Sequence, residues 1–189
     1  MNHTTERLDR LRGIIQQEEF LRGQGLSNEV NIRLFCYPAE DEMAVQYFIR
    51  QCLADHTLRC RLIECDLYRI FLDICEEQGI TEAIPPMEEQ DGGAYLLEQL
   101  RYVADIQSVL HHIEERLHAA GSPRPGDVLL IDGVGNSYPF IRVHTVLEAI
   151  QPCFTGPILV MYPGTFNGQE LRLFDRLAPN GYYRAFNLV

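Results

Sequence analysis

Apolar runs of strand length alternate along this chain with longer stretches in which apolar residues recur every three or four positions. The first kind has the length and residue types of a buried strand and the second the period of a helix, so the order reads strand, helix, strand, helix. Parallel neighbours need a crossover, and the crossover helix shields the sheet. The expected fold is therefore α/β, a mostly parallel five-stranded sheet with helices on both faces, three layers in a P-loop or Rossmann-like architecture. Strands are expected over 30–37, 58–65, 127–131, 157–161 and 182–186. Between them, Val45, Phe48, Ile49 and Cys52 form one helical stripe, and Leu67, Ile70, Phe71 and Ile74 form another that ends near Gly79. Leu96, Leu100, Val103, Ile106, Leu110, Ile113 and Leu117 read as one long helix running until Gly121 and Pro123, with a further helix over about 140–150. Leu8, Leu11, Ile15, Phe20 and Leu21 suggest an N-terminal helix within 1–25, weakened by Gly13, laid against a single domain spanning 1–189.

Two of the apolar runs stop at glycine turns, where an open α/β sheet keeps its ligands. Val128-Leu-Leu-Ile-Asp132 has the shape of a Walker B strand, whose carboxylate helps hold magnesium beside a phosphate. Its partner motif is missing: all 16 basic residues are arginine, so no Walker A lysine exists, nor any amine for a Schiff base. Asp132 then reads as a strand-end residue bonding the following turn, with a magnesium or nucleotide site, shared with Asp66 or Glu64, as the alternative. Gly133-Val-Gly135 resembles half of a dinucleotide fingerprint, but Tyr138 stands at the third glycine position. A tight strand-to-helix turn is the plainer reading, capped by Asn136 or Ser137 with Pro139 in the first helical turn.

Pro163-Gly164, with Gly168 after it, predicts a sharp loop with positive φ. Arg142, Arg172 and Arg184 interrupt apolar or aromatic runs, the last directly after Tyr183. Each must reach the surface or be paired, because a buried unpaired charge is costly. His111, Glu115 and His118 share one helical face at zinc-compatible spacing, although a solvated face explains them equally; no metal or other cofactor is expected. No serine or cysteine stands in a nucleophile motif, so no catalytic residues are expected.

With 27 acidic residues and a formal charge of -11, the chain repels phosphate backbones on average, which makes nucleic-acid contact an indirect matter. Its six cysteines lie on or beside apolar runs without a C-x-x-C pair, as buried thiols do in a reducing compartment. No run reaches the ~18 to 20 apolar residues of a membrane span, and no secretory leader is evident. A cytoplasmic protein is expected.

Taken together, Gly133-Val-Gly-Asn-Ser-Tyr-Pro-Phe-Ile-Arg142, Tyr162-Pro-Gly-Thr-Phe166 with Gly168, Leu171-Arg-Leu-Phe174 and Asn180-Gly-Tyr-Tyr-Arg-Ala-Phe186 resemble the BrxB family of bacterial BREX phage-exclusion systems. The likeness is close over the last third, and looser earlier, where Leu34-Phe-Cys-Tyr-Pro-Ala-Glu40 resembles the family's first strand and turn. The resemblance implies a small α/β protein encoded with a phosphatase-like PglZ protein, a PglX methyltransferase and a BrxC ATPase. It implies assembly rather than catalysis, through binding of PglZ. The residues that carry it, Gly133, Gly135, Ser137, Arg142, Pro163, Gly164, Gly168, Arg172, Tyr183 and Arg184, are the candidate partner-binding set. A DNA-binding accessory role and a magnesium-dependent phosphoryl hydrolase are the alternatives.

Overall fold

A computed structural model describes residues 3–22, 31–168, 170–177 and 186–187. The chain opens with helices α1 (His3–Ile14) and α2 (Glu18–Leu21), then strand β1 (Ile32–Tyr37) and helix α3 (Glu42–Ala54). Strand β2 (Arg61–Asp66) leads into α4 (Leu67–Glu77), α5 (Ile84–Asp91), α6 (Gly93–Leu100) and α7 (Ile106–Ala119). Strand β3 (Asp127–Asp132) is followed by α8 (Val134–Ser137) and α9 (Val143–Ala149), then β4 (Ile158–Phe166), β5 (Leu171–Leu173) and β6 (Phe186–Asn187).

The sheet order is β2-β3-β4-β1-β6, and every neighbouring pair along it is parallel. Side chains leave alternate sides of each strand, so the sheet feeds two cores. Phe35, Val128, Leu130, Leu159 and Met161 meet Leu8, Leu11, Val45 and Ile49 from α1 and α3 on one face. Leu34, Leu129, Ile131, Ile158 and Val160 meet Ile70, Ile74, Val109, Ile113, Val146 and Leu147 from α4, α7 and α9 on the other. The α/β sheet with both faces covered is thus as its alternation predicts. All six residues of β3 are buried, the near-continuous apolar run of a central parallel strand.

Four local expectations change. The apolar stripe from Leu96 to Leu117 is two helices, broken over 101–105, because Asp105 leaves the helix and accepts from Gln107 N at 2.8 Å and Ser108 N at 3.1 Å, starting α7 anew. Upstream of it, Pro85 and Pro86 lie in the first turn of α5, where a missing N–H has no helical acceptor to lose. The N-terminal stripe is likewise two helices rather than one, and the helix expected from about 140 begins at Val143. The hairpin from β4 to β5 adds an antiparallel arm that the five-strand count does not contain, with Gly164 opposite Leu173. Of the expected strand 182–186, only Phe186 lies within the described residues; it pairs with Arg33.

The chain leaves β1 on the α3 face but leaves β2 and β3 on the opposite face. Ligands of open α/β sheets sit outside the carboxyl ends of the strands at such a reversal, which directs attention to Tyr37, Asp66, Asp132 and Pro163.

Candidate functional site

The turn after β1 carries Glu40, Asp41 and Glu42 where a nucleotide-binding fold of this winding would present glycines and a cation. The buried Tyr37 hydroxyl donates to Glu42 Oε2 at 2.7 Å, and burial together with the Glu42 carboxylate keeps that phenol protonated. Gln46, one turn into α3, donates to Glu42 Oε1 at 3.0 Å and reaches Asp132 Oδ2 at 3.4 Å. Asp132 is only 1% exposed, and its Oδ1 has no hydrogen-bond partner among the described residues. Burial, and then the nearby Asp66 and Glu64 carboxylates, push the Asp132 carboxyl up to about 7. Among the described residues no arginine forms an ion pair with Asp132, Asp66 or Glu42.

Glycines close this end of the sheet. Gly133 sits in the left-handed region at φ 65°, and a β-carbon there would overlap Asp66 Oδ1. That oxygen is occupied, because Asp66 caps α4 by accepting from Tyr68 N at 2.8 Å and Arg69 N at 3.2 Å. Gly135 lets α8 lie against the hairpin: a β-carbon would come within 2.9 Å of the Phe174 ring and 3.0 Å of Pro163 Cγ. Gly164 is not the turn residue its sequence suggests. It lies within β4 rather than in a turn, although at the positive φ expected, 158°, and a β-carbon there would overlap the Arg172 carbonyl. Phe174 N donates to Pro163 O at 2.8 Å, which ties the hairpin back. Gly168, at φ 95°, is the turn residue expected, beside Asn167 whose Oδ1 accepts from Glu170 N at 2.8 Å.

Ser137 is fully buried at the end of α8, not at a helix start, and its Oγ donates to Val134 O at 3.2 Å. The capping role read from sequence therefore fails, and Pro139 precedes α9 rather than lying in its first turn. Arg172 is half exposed, 3.9 Å from Glu170. Arg142 is exposed at the N-terminal edge of α9. Tyr183 and Arg184 lie outside the described residues. The candidate set thus divides: Gly133, Gly135, Ser137, Pro163 and Gly164 come together as packing, while Arg142 and Arg172 face outward elsewhere.

Metal-ligand geometry differs from the sequence pattern as well. His111 Nε2 stands 3.6 Å from Glu115 Oε1, but His118 lines a separate depression with Glu114 and Cys153. Among the described residues the donor atoms that converge, within 4.8 Å of one another, belong to Glu77, His112 and Glu115. His112 is 4% exposed, with Nε2 at 3.3 Å from Glu77 and Nδ1 at 3.4 Å from Glu115. Both ring nitrogens already meet carboxylates, an arrangement that needs no ion to satisfy the ring. Its signal in the sequence was position: His112 stands on the stripe of Val109 and Ile113 and is carried inward with them. Asp132, Asp66 and Glu64 do not form such a converging set.

A family model described as "BREX protein BrxB" matches residues 63–188 of this chain. A protein of Bacillus cereus described as "BREX protein BrxB" is 32% identical over 198 aligned positions, covering 100% of this chain and 99% of the relative. A protein of Escherichia coli with the same description is 30% identical over 189 positions, covering 97% of this chain and 90% of the relative. No solved structure matches the chain at a significant level.

Proposed function

This chain belongs to the BrxB family of BREX proteins, components of bacterial phage defence, and from that premise we propose that it works in the cytoplasm as a non-catalytic assembly protein that binds the PglZ-family member of its system. One observation carries the non-catalytic part of this reading. The strand ends, where such a fold would do chemistry, are filled by the protein's own side chains: Asp66 is used as a helix cap, Gly133 and Gly135 admit close packing, and Tyr37 and Gln46 are spent on Glu42. Carboxylates without a paired cation repel the phosphates that this sheet edge would otherwise receive. Among the described residues, no helix is long and apolar enough to cross a membrane.

What remains for function is surface. A defence component without chemistry of its own acts through what it holds together, and association with other BREX proteins follows from membership in the system. The finer assignment, to PglZ, is tested by co-expressing the tagged protein with its co-encoded PglZ relative and separating the mixture by size exclusion. Co-elution at micromolar concentration is expected; two separate peaks would sink the assignment.

A further inference from the structure

The 101–105 break does more than end a helix. It borders a groove lined by both Arg101 and Arg142, together with Ile106, Val109, Phe140 and Ile141. Val109 and Ile141 are buried at 1% and 4%, and the Phe140 ring stacks on Phe71 with centroids 4.4 Å apart and planes 7° from parallel, so the apolar floor is fixed. Among the described residues no acidic side chain lines the groove, in a chain with 27 acidic residues against 16 basic ones. Arg12, Arg61 and Arg116 are each paired with an aspartate, whereas neither the Arg101 nor the Arg142 guanidinium has a hydrogen bond or ion pair to another described residue.

We propose that this groove docks an acidic segment of a partner protein that carries an apolar side chain into it. The inference rests on the assembly reading above and assigns that reading a surface. Two like charges facing one trough repel each other until anionic groups arrive between them, and the apolar floor has no use for a carboxylate, so the occupant must supply both characters. On either side of Arg101 in the chain, Tyr95, Leu97 and Tyr102 are 46%, 38% and 80% exposed, the mixture of tyrosine, apolar and arginine side chains that protein interfaces favour. The volume, about 240 Å³, accepts a side chain or two and falls below the roughly 300 Å³ at which pockets begin to bury small ligands. A nucleic-acid strand would need a basic stripe rather than two arginines on a chain of charge -11.

The test uses the full-length protein and its co-encoded PglZ relative, with binding measured by calorimetry at low and high salt. An Arg101→Glu/Arg142→Glu variant is expected to bind at least about ten-fold more weakly than wild type, and the wild-type affinity to fall as salt rises. Arg50→Glu, exposed on α3 across the sheet from the groove, is expected to leave binding unchanged. Should the charge reversal disturb folding, Arg101→Gln/Arg142→Gln gives the same comparison with a smaller loss. Equal binding by wild type and groove variants overturns the groove while leaving the assembly reading intact. Wild type that binds neither the PglZ relative nor any other co-encoded BREX protein overturns both. If a labelled single-stranded oligonucleotide binds wild type at low salt and the groove variant loses that binding while keeping the protein partner, the groove is a nucleic-acid site and the proposal falls.

Discussion

The carboxyl end of the sheet holds Gly133, Gly135, Pro163 and Gly164 of the family signature, the groove between α7 and α9 only its 139–142 stretch, and the two are built on opposite terms. Around Asp132 the protein answers itself: glycines are there because neighbouring atoms leave no room, and polar groups are used on each other. Along the groove it leaves two guanidinium groups unanswered above a rigid apolar floor. The first region resembles an active site in outline and is packed with the protein's own groups; the second resembles no ligand-binding motif and is the surface proposed for a partner. A signature sequence therefore reports fold constraint as readily as function, and burial decides between them.

The largest test of that contrast falls on the closed end. Gly133→Val would force a β-branched residue into φ 65° and drive its side chain into the Asp66 cap of α4. The backbone strain and the lost cap together are expected to cost about 4 kcal/mol. For a domain of this size that is a fall of roughly 8 to 16 °C in melting temperature by calorimetry. A fall of only a degree or two would mean that this end of the sheet is looser than its contacts imply, and so open to a ligand after all.

Asp132 sets the second test, through pH. Its carboxyl stands near 7 in the folded protein, against about 3.9 for an unfolded aspartate. Between those values the folded state binds more protons than the unfolded one, so its contribution to stability is full below pH ~4 and is lost as pH rises through ~7. The swing is on the order of 4 kcal/mol. Asp132→Asn keeps the shape and removes the titration. The variant is expected to match wild type in a denaturant melt near pH 4, to be the more stable at pH 8, and to lose most of the wild-type slope between them. If instead magnesium with ATP or GTP stabilises wild type at pH 8 and not the Asn variant, the buried carboxylate is a cation ligand and the closed end is a site.

Much of this was legible beforehand because period and burial agree. The strands 127–131 and 157–161, the stripes of Val45 and Ile49 and of Ile70 and Ile74, and the Gly168 turn all follow from local pattern. What was not legible depends on partners distant in sequence. Gly164 looks like a turn until Arg172 is seen across the hairpin, and Asp66 looks like a spare carboxylate until it is seen beneath Gly133. The long helix failed for a different reason. Its apolar spacing passes unbroken through 101–105, while the Asp105 side chain competes for the same backbone donors and wins the first turn of α7. The break also borders the groove, which Arg101, Ala104 and Ile106 help to line.

The smallest expected effect tests the open region. Arg101→Gln/Arg142→Gln removes two exposed side chains that bond to no described residue and are not buried, so the melting temperature should move by no more than about 2 °C, within the ±0.5 kcal/mol of ordinary surface substitutions. Relief of the repulsion between two like charges even favours a slight gain. The near-absence of an effect is the informative outcome, because groups that stability does not use are free to be selected for binding. A loss of more than about 1 kcal/mol would show instead that these arginines hold the fold together, as Arg61 does with Asp127, and the difference between the two regions would disappear.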